Sequence, residues 1–137
     1  MPHLIIEYSA NLDGRLALDS LLDALYDTAL ETGVFPVGGL RIRAHRVEHY
    51  RIADRHPENA FVHVTALIGH GRPLDVRERV SRMLFGTLSE ALDSLYRAMP
   101  LAISFTLQEF HPQLNFKRNN LHEHVERRRA AAAGGAS

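Results

Sequence analysis

A proline stands directly behind the first methionine of this chain, in the run Met1-Pro2-His3-Leu4-Ile5-Ile6-Glu7-Tyr8. An initiator methionine is usually removed when a small residue follows. What would remain here is a secondary amine at the head of an apolar, β-prone strand. A strand holds such an amine still, and the neutral amine is a base. Free α-amines titrate at about 7.7–8.0. Nearby cations and a dry pocket both disfavour the ammonium, so both bring the amine into range for general-base work at neutral pH. Arg41 and Arg72 are the cations whose expected positions suit this role. Arg72 closes a turn at the start of a helix, where the helix itself prefers anions. Guanidiniums grip carboxylates and stabilise charge that builds on an enolate. The set suits moving a proton between oxygen and carbon, or between two carbons, beside a carbonyl. It needs no metal or cofactor. Each residue also has an ordinary reading. Proline fixes φ and is tolerated at strand starts, and a lone arginine is a solvent-facing strand or cap charge.

The elements that must position this set follow from the apolar pattern. Residues 3–8 read as a strand, and Asn11-Leu12-Asp13-Gly14 as a turn. Leu18, Leu21, Leu22, Leu25 and Ala29 form one stripe of a helix over residues 17–32, with Gly33 just past its end. Val34 to Gly39 is a loop. Residues 40–52 alternate apolar with polar, the mark of a half-buried strand. Residues 60–68 form a third strand, apolar on both faces, and Gly69-His70-Gly71-Arg72-Pro73 turns into a second helix over residues 74–97. Leu101, Ile103, Phe105 and Leu107 alternate in a fourth strand after Pro100.

The order predicts an α+β (α/β) fold of two tandem βαβ units, about residues 2–52 and 60–110, in one domain over residues 1–125. Strands joined through a helix are parallel and cross over right-handed. The product is a four-stranded mixed sheet with two helices on one face. If the units are antiparallel to each other, the end of the third strand returns Arg72 to the side of Pro2. The uncovered sheet face asks for a partner, so a homo-oligomer is expected. Residues 111–124 are polar with spaced apolar anchors that suit a neighbouring subunit, and residues 126–137 read as a disordered Arg/Ala-rich tail.

Bulk composition narrows the function classes. The chain has 137 residues and 45% apolar content, enough for one cored domain. Its formal net charge is zero, against a nucleic-acid or membrane-surface partner. Lys117 is the only lysine among many arginines, a skew that a GC-rich coding bias also produces. There are no cysteines, so no disulfide framework and no thiolate metal site. Nine histidines lack metal-ligand spacing, and His122-x-His124 stands alone beside the tail. No apolar run reaches a membrane span and no signal peptide is visible, so a soluble cytoplasmic protein is expected.

The ordered words of the chain then meet a family. Pro2-His3-Leu4-Ile5-Ile6-Glu7, Thr32-Gly33-Val34-Phe35-Pro36, Gly39-Leu40-Arg41-Ile42-Arg43, Ala60-Phe61-Val62-His63, Ile68-Gly69-x-Gly71-Arg72 and His111-Pro112-x-Leu114-Asn115-Phe116-Lys117-x-Asn119-Asn120 are spread over most of residues 2–124. Together they resemble the tautomerase superfamily, which acts through an amino-terminal proline, and within it the 5-carboxymethyl-2-hydroxymuconate Δ-isomerases. The resemblance implies a homotrimer and a cofactor-independent isomerase of homoprotocatechuate (4-hydroxyphenylacetate) catabolism. It implies conversion of a carboxymethyl-substituted 2-hydroxymuconate to its 2-oxo-3-ene isomer. By position, Pro2 carries the proton, and Arg41 and Arg72 hold carboxylates of a di- or tricarboxylate substrate. Phe35 and Phe61 are candidates for the pocket wall, a place that core packing explains as well. The alternatives are a phenylpyruvate-type enol/keto tautomerase and a non-catalytic trimeric scaffold. The extension after residue 124 departs from the pattern and receives no role.

Overall fold

Strand β1 (His3–Ser9) alternates as its sequence demands: Leu4, Ile6 and Tyr8 are buried, while Glu7 is exposed. It occupies the interior of the sheet. The chain next forms helix α1 (Leu18–Glu31) and returns as β2 (Arg41–Val47), parallel to β1 with His3 opposite Arg41. Strand β3 (Ala60–Ile68) runs antiparallel to β1 on its other side, with His3 opposite Leu67. Helix α2 (Leu74–Ala91) and the short α3 (Asp93–Ala98) lead to β4 (Leu101–Glu109), parallel to β3. The order β2-β1-β3-β4 is that of two βαβ units set antiparallel, as the element order predicts. This computed structural model describes residues 1–135.

Helices α1 and α2 lie on one face of the sheet. Leu21, Leu25 and Ala29 of α1 and Val80, Leu84 and Leu88 of α2 are buried against Leu4, Ile6, Val62 and Val64. Each fully enclosed leucine or isoleucine stabilises the fold by about 1.5–3 kcal/mol relative to exposure. The two helices touch through a hydroxyl pair, Thr28 Oγ1 to Thr87 Oγ1 at 2.6 Å. Gly33, at φ 74°, ends α1 in the left-handed region as its place in the sequence predicts. The opposite sheet face carries His3, Ile5, Phe61, His63, Thr65 and Leu67, all half-buried, and among the described residues no helix covers it.

Several sequence expectations need correction. The second helix does not run unbroken over 74–97: Leu92, at φ −99° and ψ 2°, separates α2 from α3. The break keeps Leu92 in the core, and Asp93 starts the new turn where a carboxylate is favourable. Strand β2 ends at Val47 rather than 52, because its one neighbour β1 ends at Ser9, opposite Val47, and turns away at Ala10. The third strand is not apolar on both faces; His63 and Thr65 stand on the uncovered one. The expected disordered tail is, through residue 135, the continuation of a helix α4 (Leu121–Gly135) with no buried residue. Its alanines and arginines have strong intrinsic helix propensity, which suffices without packing to continue a turn already begun. The remainder of that expectation, Ala136 and Ser137, lies outside the described residues. Among the described residues no helix is long and apolar enough to cross a membrane.

Candidate active site

Pro2 is buried at the head of the central strand, and its carbonyl accepts the Arg41 N–H at 3.1 Å, so the parallel ladder reaches Pro2 itself. Around Met1 and Pro2 lies a cavity of about 200 Å³. Phe35 and Pro36 wall it from the loop after α1, Arg72 from the turn before α2, and Lys117 and His122 from the segment after β4. Larger grooves lie between α2 and β4 (about 520 Å³) and between α1 and α2–α3 (about 600 Å³), but neither gathers cations round an amine.

The arginines are oriented by neutral groups. Arg72 donates from Nη2 to the carbonyl of Val34 at 2.8 Å, and its guanidinium carbon lies 5.6 Å from the ring centre of Phe35. Phe35 is buried beneath it, and a cation over a ring face is held electrostatically. Arg41 donates from Nη1 to the carbonyl of Gly39 at 2.9 Å. It does not line the cavity wall; it stands one strand over, close enough to act on the terminal amine. Among the described residues neither arginine, nor Lys117, has a carboxylate partner. The site is therefore an uncompensated positive cluster. The amine titrating in this structure is that of Met1, one residue ahead of the proline nitrogen. Burial holds it below its ordinary value, and Lys117, Arg41 and Arg72 add to the effect in that order.

Phe61 is the sequence candidate that the chain does not bring here. Strands β1 and β3 are antiparallel, so the start of β3 lies at the far end of the sheet, six residues from the Leu67 that pairs with His3. That is about 20 Å at strand rise. Lys117 and His122 are the residues that sequence reasoning missed. The signals for Lys117 were its place in the last matching block and its being the sole lysine. Among the described residues no group of His, Asp or Glu is arranged to hold a metal ion.

The segment carrying Lys117 is pinned at Gly38. Asn119 Nδ2 donates to the Gly38 carbonyl at 2.9 Å, and Asn119 Oδ1 accepts the Leu121 N–H at 2.9 Å. A Cβ on Gly38 would meet the backbone of His122 at 2.8 Å, closer than real contacts allow, and would overlap its ring. Gly38→Ala should therefore lift the start of α4 off the loop, at about 1–3 kcal/mol. Amide exchange that accelerates over residues 117–124 with β1 unchanged is the expected readout; unchanged exchange there would refute the pinning.

His3 adds a pH dependence of stability. Its Nδ1 lies 2.9 Å from Arg43 Nη1 and must accept from it, so the ring is neutral here. Burial first, then Arg43, Arg41 and the terminal amine, hold its pKa below the usual histidine value. The unfolded chain then binds the proton more readily than the folded one. This contribution is absent above about pH 6.5 and destabilises progressively as pH falls below it, down to the folded pKa. The urea midpoint should drop less between pH 7.5 and 5.5 in His3→Gln than in the unaltered chain. Equal drops would rule His3 out as a source.

This geometry has relatives. The sequence pattern of the 5-carboxymethyl-2-hydroxymuconate isomerase family matches residues 2–125. The chain is 40% identical over 122 residues to the 5-carboxymethyl-2-hydroxymuconate Delta-isomerase of Escherichia coli, covering 89% of this chain and 97% of that one. A crystal structure of a 5-carboxymethyl-2-hydroxymuconate isomerase from Deinococcus radiodurans R1 superposes with a TM-score of 0.85 at 35% identity, covering 90% of this chain and 93% of that one. A fused 4-OT symmetric trimer superposes at 0.64 with 20% identity, over 85% of this chain and 93% of that one, which speaks to the tautomerase-like fold alone. With a buried proline heading the central strand, cations around it and this match along nearly its whole length, the chain belongs to the 5-carboxymethyl-2-hydroxymuconate isomerase family.

Proposed function

We propose that this protein isomerises 5-carboxymethyl-2-hydroxymuconate to its 2-oxo-3-ene isomer, with Pro2 as the proton carrier once Met1 has been removed. The observation that carries the reading is the buried Pro2 beside cations that have no acid among them. The neutral amine takes the proton from the 2-hydroxyl, and the O–H pair becomes the carbonyl. The C2=C3 pair moves to C3=C4, and the C4=C5 pair takes the proton back from the ammonium at C5. Atoms and charge balance with no cofactor. Arg72, from the cavity wall, and Arg41, beside it, bind substrate carboxylates and oppose the charge that builds on the dienolate oxygen. Phe35 supplies apolar wall and holds Arg72 in place. Phe61, at the far end of its own sheet, reaches such a cavity only from a neighbouring subunit.

A homotrimer built through the uncovered sheet face completes the proposal. That face carries Ile5, Phe61 and Leu67 without a helix over them, which supports burial against further copies.

An ultraviolet assay of enol-to-ketone conversion, run on 5-carboxymethyl-2-hydroxymuconate and phenylenolpyruvate side by side, tests the reading. Faster conversion of the triacid is expected. A preference for phenylenolpyruvate would replace it with the phenylpyruvate-type activity, and inertness toward both would leave a scaffold. Intact mass is the companion measurement: retained Met1 makes the Pro2 nitrogen an amide and removes the base.

A further inference from the structure

We infer that Lys117 is a specificity-determining residue of this cavity and binds the carboxylate on the substrate's carboxymethyl arm. The inference rests on the isomerase reading above and assigns a residue to the part of the substrate that the arginines leave over. Lys117 borders the same cavity as Pro2 and Arg72. It is exposed at the rim, and among the described residues it has no hydrogen-bond or ion-pair partner. With Met1 in place, its charge stands ahead of those of Arg41 and Arg72 among the causes that lower the Met1 amine.

The local structure explains how it comes to be there. Phe110 still packs edge-on against His3, but beyond it residues 111–120 leave the sheet edge with Leu114 and Phe116 largely exposed, so neither of these anchors the path within the described residues. What draws the segment back is polar: the Asn119 amide on the Gly38 carbonyl, with His122 seated against the bare Cα of Gly38. Both attachments lie within five residues of Lys117 and on the loop that also carries Phe35. The tether delivers an ammonium to the mouth of the cavity.

Chemistry matches cation to carboxylate. The substrate has two carboxylates conjugated to the diene and a third on a freely rotating methylene. Conjugated carboxylates are held in a plane and suit the planar forks of Arg41 and Arg72. The third swings, and suits a point charge on a flexible four-carbon stem.

The test compares 5-carboxymethyl-2-hydroxymuconate with 2-hydroxymuconate, which lacks the arm. Lys117→Gln should lower kcat/KM about 10- to 100-fold on the triacid, as loss of one charge-assisted contact does, and by less than about threefold on the diacid. Lys117→Arg should keep most of the preference. Any change in the amine's basicity acts on both substrates and cancels in their ratio. Equal losses on the two, or no loss on the triacid, overturn the assignment. A second arm needs no turnover: calorimetric titration with propane-1,2,3-tricarboxylate and with glutarate. Lys117→Gln should lose affinity for the tricarboxylate selectively. That loss in a protein that isomerises nothing would sink the catalytic reading and keep the residue's role. Undiminished tricarboxylate affinity in a protein that does isomerise would do the reverse.

Discussion

Pro2→Ala lowers the rate of enol-to-ketone conversion by about 10²–10⁴-fold, the range that a positioned general base supplies. Alanine leaves a terminal amine, but a primary one with φ free to rotate, so the base is displaced and less constrained. The carbonyl of residue 2 still accepts the Arg41 N–H, and the strand is expected to stay in register. Circular dichroism and sedimentation should therefore match the unaltered protein. A rate within a few-fold of normal would end the general-base role. The pH profile carries the same claim with a definite sign. The active species is the neutral amine, so kcat/KM is full at high pH and falls as pH drops through the amine's pKa. With Met1 in place, burial and then Lys117, Arg41 and Arg72 hold the Met1 amine below its ordinary value, and the Pro2 amine that its removal exposes is expected to meet the same cations. The acid limb should accordingly lie below the value of a free α-amine, about 7.7–8.0.

Arg72→Ala and Arg41→Ala should each cost about 10- to 100-fold on the triacid and much less on a monoacid enol, since a charge-assisted hydrogen bond is worth about 1.5–3 kcal/mol. Arg72→Ala should be the more severe. It removes the cavity-wall cation, strips the donor from the Val34 carbonyl and uncovers Phe35. Arg41 sits off the wall and acts from one strand over. Both substitutions should also move the acid limb to higher pH, because each removes a charge that disfavours the ammonium. Steady-state kinetics on both substrates across pH check this. Equal losses on triacid and monoacid would remove the carboxylate assignment.

Pattern alone revealed most of the frame. The stripe through Leu21, Leu25 and Ala29 and the alternation along Leu101 to Leu107 are periodic signals that survive into the structure with small shifts at their ends. The pairing of Pro2 with Arg72 was legible because antiparallel units return the end of β3 to the start of β1. The same topology sends the start of β3, and Phe61 with it, to the opposite end, a consequence that the family likeness obscured. Lys117 was not legible, because its segment has no period and is placed by hydrogen bonds to Gly38, a residue some eighty positions earlier in the chain. The break at Leu92 left no mark either: a stripe of apolar residues looks the same on one helix as on two that share a core.

The antiparallel setting of the two units makes the ends of the sheet unlike each other. Each half begins alike, with His3 opposite Arg41 in the first and Ala60 opposite Leu101 in the second. Yet where the first half starts with Pro2, the second starts with Asn59, whose amide nitrogen is engaged by the Ile52 carbonyl and the Asp54 carboxylate. The duplicated architecture thus has two unlike openings, the one at Pro2 left free for the proposed chemistry and its counterpart at Asn59 tied down by the connecting loop.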